Sequence, residues 1–374
     1  MAQRKPRVLI FSQRQAVTWV SAACFYEFED LISAWTDADI LALPDRPFPI
    51  RRKINTVLNA VTRMPEVAAA LTPAAWSPWT PKKEYDLFLA VLPTPDFSFV
   101  LKDLDRIKDL CGKMAVYVPE VWAHRLRGHR HLLLPLQEFD HIYVSTRHSV
   151  DTMAELTGRP TSFLPFAVNT EVFSPAPEGA PRSIDVLTIG RRSPVTHRAL
   201  LNAAQDTGLF YHYDTIAQPA AAKDPAEHRR MYAELLKRSR FFLSSRANAD
   251  EPEKTQGAEE VGHRFFEGAA AGAVMVGAPP RTPSMDESFD WQDAVIEAPW
   301  DDEGIAERLS ALEADPDRLE RIRRAGIVQC LRRHDWLYRW EQMSADLGLP
   351  LSTEAEQRRA ALEERASRFD SVAG

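Results

Sequence analysis

The sequence predicts an α/β protein made of two doubly wound halves. Short apolar runs alternate with longer amphipathic stretches, the pattern of βα units on a parallel sheet. The alternation stops at a Pro-rich segment and then restarts. The chain has 374 residues, a length that suits two domains of ordinary size. In the first half the runs Val8–Ser12, Asp39–Leu43, Leu87–Leu92, Met114–Val118, His141–Ser145 and Ser162–Phe166 read as strands. Ala16–Trp35 and Phe97–Leu110 read as helices between them. Ser174–Pro181, rich in Pro and small residues, reads as the linker. Strands are expected again at Ile184–Ile189, Tyr211–Thr215, Arg240–Ser244, Ala273–Gly277 and Ala294–Glu297, with a helix from about Val195. From Asp302 onward the chain reads as helical, and Thr353 with Glu356 reads as the capping box of a last helix. The expected domains are 1–175 and 182–334, with 335–374 as C-terminal helices. Two such halves joined by a hinge place a cleft between them, a common ligand site.

Composition narrows the function. Hydrophobic residues make up 45 % and charged residues 26 %, the balance of a soluble globular protein. The net charge is −7, and the acidity sits in the second half, so a nucleic-acid partner is not expected. Cys24, Cys111 and Cys330 show no metal-ligand spacing. The N-terminus lacks the apolar core of a signal peptide, and no run is long enough to span a membrane, so a cytoplasmic location is expected.

The chemistry-bearing segment is Glu259–Gly272, with a strand-like run behind it. Glu259 and Glu267 stand eight positions apart, a little over two helical turns, so helical geometry places them on one side. Small residues at 268–272 let such a helix pack closely on a sheet. A loop entering a helix offers free backbone N–H groups and the positive end of the dipole to a diphosphate. Carboxylates accept hydrogen bonds from paired hydroxyls of ribose or hexose.

Glu259, Gly262, Glu267 and Gly272 stand in the register of the group 1 glycosyl transferases, whose E-x7-E motif this segment resembles. Arg264-Phe265-Phe266-Glu267 looks most like the spore-maturation CgeB-type subgroup. Leu164–Pro175 is similar to the family's inter-domain motif, with Asn169 where Asp is usual and Ala167 where Gly is usual. Phe139–Ser145 resembles the strand and serine that close the family's first domain. Gly190-Arg191 follows the first strand of the second half, as in the family. The Lys expected shortly after is missing, with Arg192, His197 or Arg198 as replacements, and Ser12-Gln13-Arg14-Gln15 lacks the family's glycine loop.

The resemblance implies the GT-B fold: two Rossmann-like domains facing each other across a cleft, the first on the acceptor side, the second binding the nucleotide sugar, and a C-terminal helix crossing back. It implies a hexosyltransferase that moves sugar from a nucleoside diphosphate sugar, UDP or GDP, to an acceptor hydroxyl with retention, without metal or other cofactor. Glu267 is expected to hold the ribose. Glu259, with Glu260 as the neighbouring alternative, is expected to contact the donor sugar and steady charge at the anomeric carbon. Arg191, with Gly190, His197, Arg264, His263 and the amides from Gly262 to Phe265, is expected to take the diphosphate. His124, or Glu120 in its place, is expected near the donor sugar. The acceptor is left open among glycan, lipid-linked sugar and small molecule. The alternative is a non-catalytic relative that binds a nucleotide or glycan.

Other features read as ordinary surface or core. The run Arg125, Arg127, His129, Arg130 and His131 reads as a solvated helical face, with anion binding as its alternative. Arg51-Arg52-Lys53 with Ile54, Val57, Leu58 and Val61 reads as a domain helix, with weak peripheral membrane contact as its alternative. The Asp-x-Asp triples at Asp37/Asp39, Asp103/Asp105 and Asp315/Asp317 read as surface pairs at helix or turn positions. Trp336 and Trp340 read as packing.

Overall fold

The computed structural model describes residues 4–42, 48–64, 67–68, 71–72, 83–101, 105–176, 181–215, 221 and 223–371. Residues 177–180 of the linker, Leu43 and Asp103 lie outside these, as do the side chains of Arg51, Arg52, His129 and His131. The chain forms two compact units: Met1–Pro165 with Ala221–Pro225 and Arg339–Gln357, and Phe166–Ala220 with Ala226–Tyr338 and Arg358–Gly374.

The first unit carries a parallel sheet of β1 (Arg7–Ser12), β2 (Asp37–Ala42), β3 (Tyr85–Val91), β4 (Cys111–Val118), β5 (His141–Val144) and β6 (Thr161–Phe163), in the order β2-β1-β3-β4-β5-β6. Val8 to Phe11 and Leu87 to Ala90 are fully buried, because central strands of a parallel sheet are covered on both faces and read as unbroken apolar runs. The edge strand β2 differs. Asp37 and Asp39, expected at a helix or turn, lie on this strand, where Lys83 pairs with both at 2.7 and 3.5 Å. Charged residues are tolerated there because an edge faces solvent on its free side.

The second unit carries β7 (Ile184–Thr188), β8 (Tyr211–Tyr213), β9 (Ser239–Leu243), β10 (Val274–Gly277) and β11 (Ile296–Glu297), in the order β11-β10-β9-β7-β8. Both sheets therefore share one plan. The first strand lies between the second and the third, and the winding reverses beside it. Ligands of open parallel sheets gather beyond the carboxyl ends of the strands at that reversal.

Three expected elements are corrected. Phe97–Leu110 is not one helix: a 3-10 segment at Pro95–Leu101 and a single turn at Asp105–Lys108 lead directly into β4. The E-x7-E segment is not one helix either. The helix is His263–Ala270, and Gly262, extended at φ −75° and ψ 154°, marks its start, so Glu259 lies in the loop before it. The last helix, Thr353–Ser371, is capped by Ser352, whose Oγ accepts from the Ala355 amide at 3.3 Å, rather than by Thr353.

The C-terminal stretch crosses back into the first unit. The helix Trp336–Leu347 is anchored there by Arg339, which donates to the Pro165 carbonyl at 2.9 Å, and by Gln342, which donates to that of Phe163 at 3.0 Å. Trp336 and Trp340 are fully buried and pack as read. Among the described residues no helix is long and apolar enough to cross a membrane.

Candidate functional site

The second unit holds most of the expected site residues. After β7 the chain turns at Gly190, whose φ of 77° lies in the left-handed region that glycine tolerates best. Its amide donates to Asp214 at 2.9 Å. The missing side chain also matters for space: a Cβ here would come within 2.3 Å of Arg264 Nη2. Gly190 and Arg264 are thus brought together, one from the turn after the first strand, the other from the first turn of the helix His263–Ala270. Gly268 serves that helix differently. A Cβ on it would meet Phe242 at 2.8 Å and Met275 at 3.1 Å, which is how the small residues of the motif let the helix lie close on the sheet.

Arg192 crosses the same turn. It pairs with Asp214 at 2.7 Å and stands over the Tyr213 ring at 5.3 Å. Arg191 points elsewhere, to Asp250 at 2.7 Å and Glu251 at 2.5 Å, and is half-exposed. His197 bonds the Tyr211 hydroxyl through Nδ1 at 2.9 Å, and burial together with Arg192 lowers its pKa. Arg198 is exposed on the same helix, Pro194–Thr207.

Glu267 is buried and heavily engaged. Arg229 and His263 both contact its Oε1, His263 through Nδ1 at 2.8 Å. The other His263 nitrogen, Nε2, meets the Ala167 carbonyl at 2.7 Å, and its ring lies between Phe166 and Trp336. Burial alone would raise the Glu267 carboxyl. His263 and the permanent cation of Arg229 outweigh it and hold the group well below the usual carboxylate range. Phe265 is fully buried against Phe289, so only its backbone faces the helix start, where the amide donates to Gly262 at 3.3 Å.

Glu259 sits in a different setting. It lines a pocket of about 410 Å³ at the carboxyl ends of β10 and β11, with Arg246, Arg281, Glu297 and Arg308. Its carboxylate accepts from the Arg281 amide at 2.7 Å and pairs with Arg246 at 3.2 Å, while Arg281 forks onto Glu297. Such a ring of donors and acceptors matches a molecule rich in hydroxyls. Glu260, one residue on, is buried, at 4 % exposure.

Residues 196–345 match the glycosyl transferase-like family model. The match includes the whole Glu259–Gly272 segment. No curated protein matches the chain. Among solved structures it is similar to a glycosyltransferase from Rickettsia africae ESF-5, at 11 % identity over 92 % of this chain and 98 % of that one, with a TM-score of 0.53. It is also similar to an alpha-glucosyltransferase in complex with UDP and a 13-mer DNA containing a HMU base, at 13 % identity over 92 % of this chain and 100 % of that one, with a TM-score of 0.52. These likenesses are of fold, the two-domain Rossmann-like GT-B architecture. The family match supports sugar transfer.

His124 belongs to the first unit, partly buried in the short helix Ala123–Leu126 after β4. Glu120 is exposed and accepts from Trp122 Nε1 at 3.4 Å. The loop after β1 carries no glycine but a buried cluster. Ser12 donates to Glu29 at 2.5 Å, Arg14 pairs with Glu29 at 2.9 Å, and Gln13 is fully buried.

Several of these partners escape a reading of the sequence. Arg229 lies 38 residues before Glu267, and nothing local marks it. Arg246 and Arg281 look like any surface arginine. Asp214 does leave a signal, since an acid 24 residues past a turn glycine, at the end of the second strand, is a known mark of nucleotide-binding folds.

Proposed function

We propose that the protein is a retaining, metal-independent hexosyltransferase that moves sugar from a nucleoside diphosphate sugar, UDP or GDP, to an acceptor hydroxyl. The observation that carries this reading is the Arg264 guanidinium set over the left-handed turn at Gly190, at the start of a helix. A diphosphate at that turn meets a permanent cation, the Gly190 region backbone and the first amides of the helix. Arg264 takes the place of the Lys absent from the sequence. Arg191 joins it by exchanging Asp250 and Glu251 for phosphate oxygens.

Glu267, kept ionised by Arg229 and His263, accepts from the ribose hydroxyls through Oε2, the oxygen outside both contacts. Glu259 accepts from hydroxyls of the transferred sugar and steadies positive charge at the anomeric carbon. Fixed donors aimed at the departing diphosphate lower the barrier because they need no reorganisation as charge develops. The first unit takes the acceptor, with His124 assisting the transfer, and the reaction belongs to the cytoplasm.

Thermal shift with UDP, GDP, ADP, CMP and dTDP identifies the base, since a ligand that binds only the native state raises apparent stability. Arg264→Ala is expected to weaken binding of the best nucleotide at least about tenfold, the loss of one charge-assisted contact. Unchanged affinity in both Arg264→Ala and Arg191→Ala overturns the placement. Release of nucleoside diphosphate from the donor, with or without acceptor, separates an enzyme from a pure binding module. The anomeric configuration of the product and turnover in EDTA test retention and metal independence.

A further inference from the structure

The helix Phe48–Thr62 turns part of its apolar stripe away from the protein. Ile50, Val57 and Val61 are 62, 60 and 76 % exposed, and Met64, just past the helix end, is 55 % exposed. At about 100° per residue, Ile50, Lys53, Val57, Ala60 and Val61 fall within one wedge of about 100°. The packed side carries Ile54 and Leu58, both partly buried, together with Asn55, which is buried and donates to Thr72 Oγ1 at 3.0 Å. Ile54 and Leu58 turn inward as in any amphipathic helix, while Ile50, Val57 and Val61 leave the other part of the apolar stripe open to a second apolar phase.

Charge points the same way. From Asp45 to Glu66 the sequence holds the five cations Arg46, Arg51, Arg52, Lys53 and Arg63 against only the two acids at its ends, within a chain of net charge −7. A second copy of the chain would bring these cations against each other. A bilayer of anionic lipid would not, since its headgroups take the cations while its acyl boundary takes the valines. We propose that this face docks the protein on an anionic membrane surface, lying in the plane of the interface with Ile50, Val57, Val61 and Met64 sunk into it and Lys53 and Arg63 among the phosphates. This holds whatever the first unit does in catalysis.

The test is flotation of the full chain with vesicles of phosphatidylcholine alone or with about one-third phosphatidylglycerol, a composition that adds only surface charge. The protein is expected to float with the anionic vesicles, weakly with the neutral ones, and less as salt rises. Val57→Asp/Val61→Asp and, separately, Lys53→Glu/Arg63→Glu are expected to cut the floated fraction about tenfold or more, because each removes one of the two attractions. Both pairs are exposed, so the unfolding temperature is expected to stay within the wild-type range, which separates lost docking from lost folding. The proposal is overturned if wild type fails to float, if the variants float equally, or if sedimentation shows that the face joins two copies of the chain instead.

Discussion

Two buried carboxylates, one in each unit, have opposite fates. Glu29 lies beside the turn after β1 and is fully buried; Glu267 lies in the helix His263–Ala270 and is 4 % exposed. Burial alone raises both. Glu29 has one cation, Arg14, whose side chain is 27 % exposed and is shared with Asp30, and its pKa is pushed up to about 7. Glu267 has Arg229, itself buried, and His263 on the same oxygen, and stays ionised far below the usual range. Equal burial thus gives a proton holder in one unit and a fixed anion in the other. What decides is how many countercharges the fold sets on the carboxylate and how well they are shielded from water. An anion of this kind suits the second unit's proposed task of accepting hydroxyl hydrogen bonds.

The comparison breaks most sharply at Arg229. Arg229→Met leaves Glu267 buried without its permanent cation and is expected to cost about 3–5 kcal/mol at neutral pH, as removal of one partner of a buried pair does. Chemical denaturation measures it. The double variant Arg229→Met/Glu267→Gln is expected to recover part of the loss, and full additivity of the two single changes would show that the pair is not coupled. In wild type the Glu267 contribution is present above the unfolded carboxyl value near 4.5 and is lost as pH falls toward the depressed folded value.

Glu29 carries the opposite sign. Its folded pKa of about 7 exceeds its ordinary 4.5, so between these values the folded state holds a proton that the unfolded state has lost. Stability attributable to this group therefore falls as pH rises through that window, by roughly 3 kcal/mol over its full width. Glu29→Gln is expected to flatten the decline. Denaturation midpoints at pH 5 and pH 7.5 that keep the wild-type difference would contradict it.

Smaller effects sharpen the contrast between the two turns. Gly190→Ala meets a left-handed φ and the end of the flexible Arg264 side chain, so about 1–2 kcal/mol of strain is expected while Arg264 moves aside. The larger consequence is weaker nucleotide binding, read by calorimetry against the thermal shift. Arg191→Ala breaks half-exposed pairs with Asp250 and Glu251 and is expected to change stability by less than about 1 kcal/mol. A nucleotide affinity that drops along with so small a stability change marks it as a ligand contact.

Much of this was legible in the sequence. Unbroken apolar runs gave the central strands of both sheets, because strands covered on both faces need no polar side. Gly190, Gly268 and the Arg264–Gly272 segment announced a tight turn and a helix laid close on a sheet, since backbone conformation and close approach restrict which residues fit. Net charge follows from composition, and the acidity of the second half from the order of residues.

Only the tertiary structure decided the rest. Spacing alone put Glu259 on the helix of Glu267, but Gly262 starts that helix later and sends Glu259 into a pocket with Arg246 and Arg281. Periodicity showed that the helix Phe48–Thr62 is amphipathic, yet a stripe has the same spacing whether it faces core or solvent, and the fold partly covered Ile54 and Leu58 while leaving Ile50, Val57 and Val61 exposed. The protonation of Glu29 and Glu267 could not be read locally, because a carboxyl's pKa depends on which distant cations the fold brings near it and how deeply it buries them.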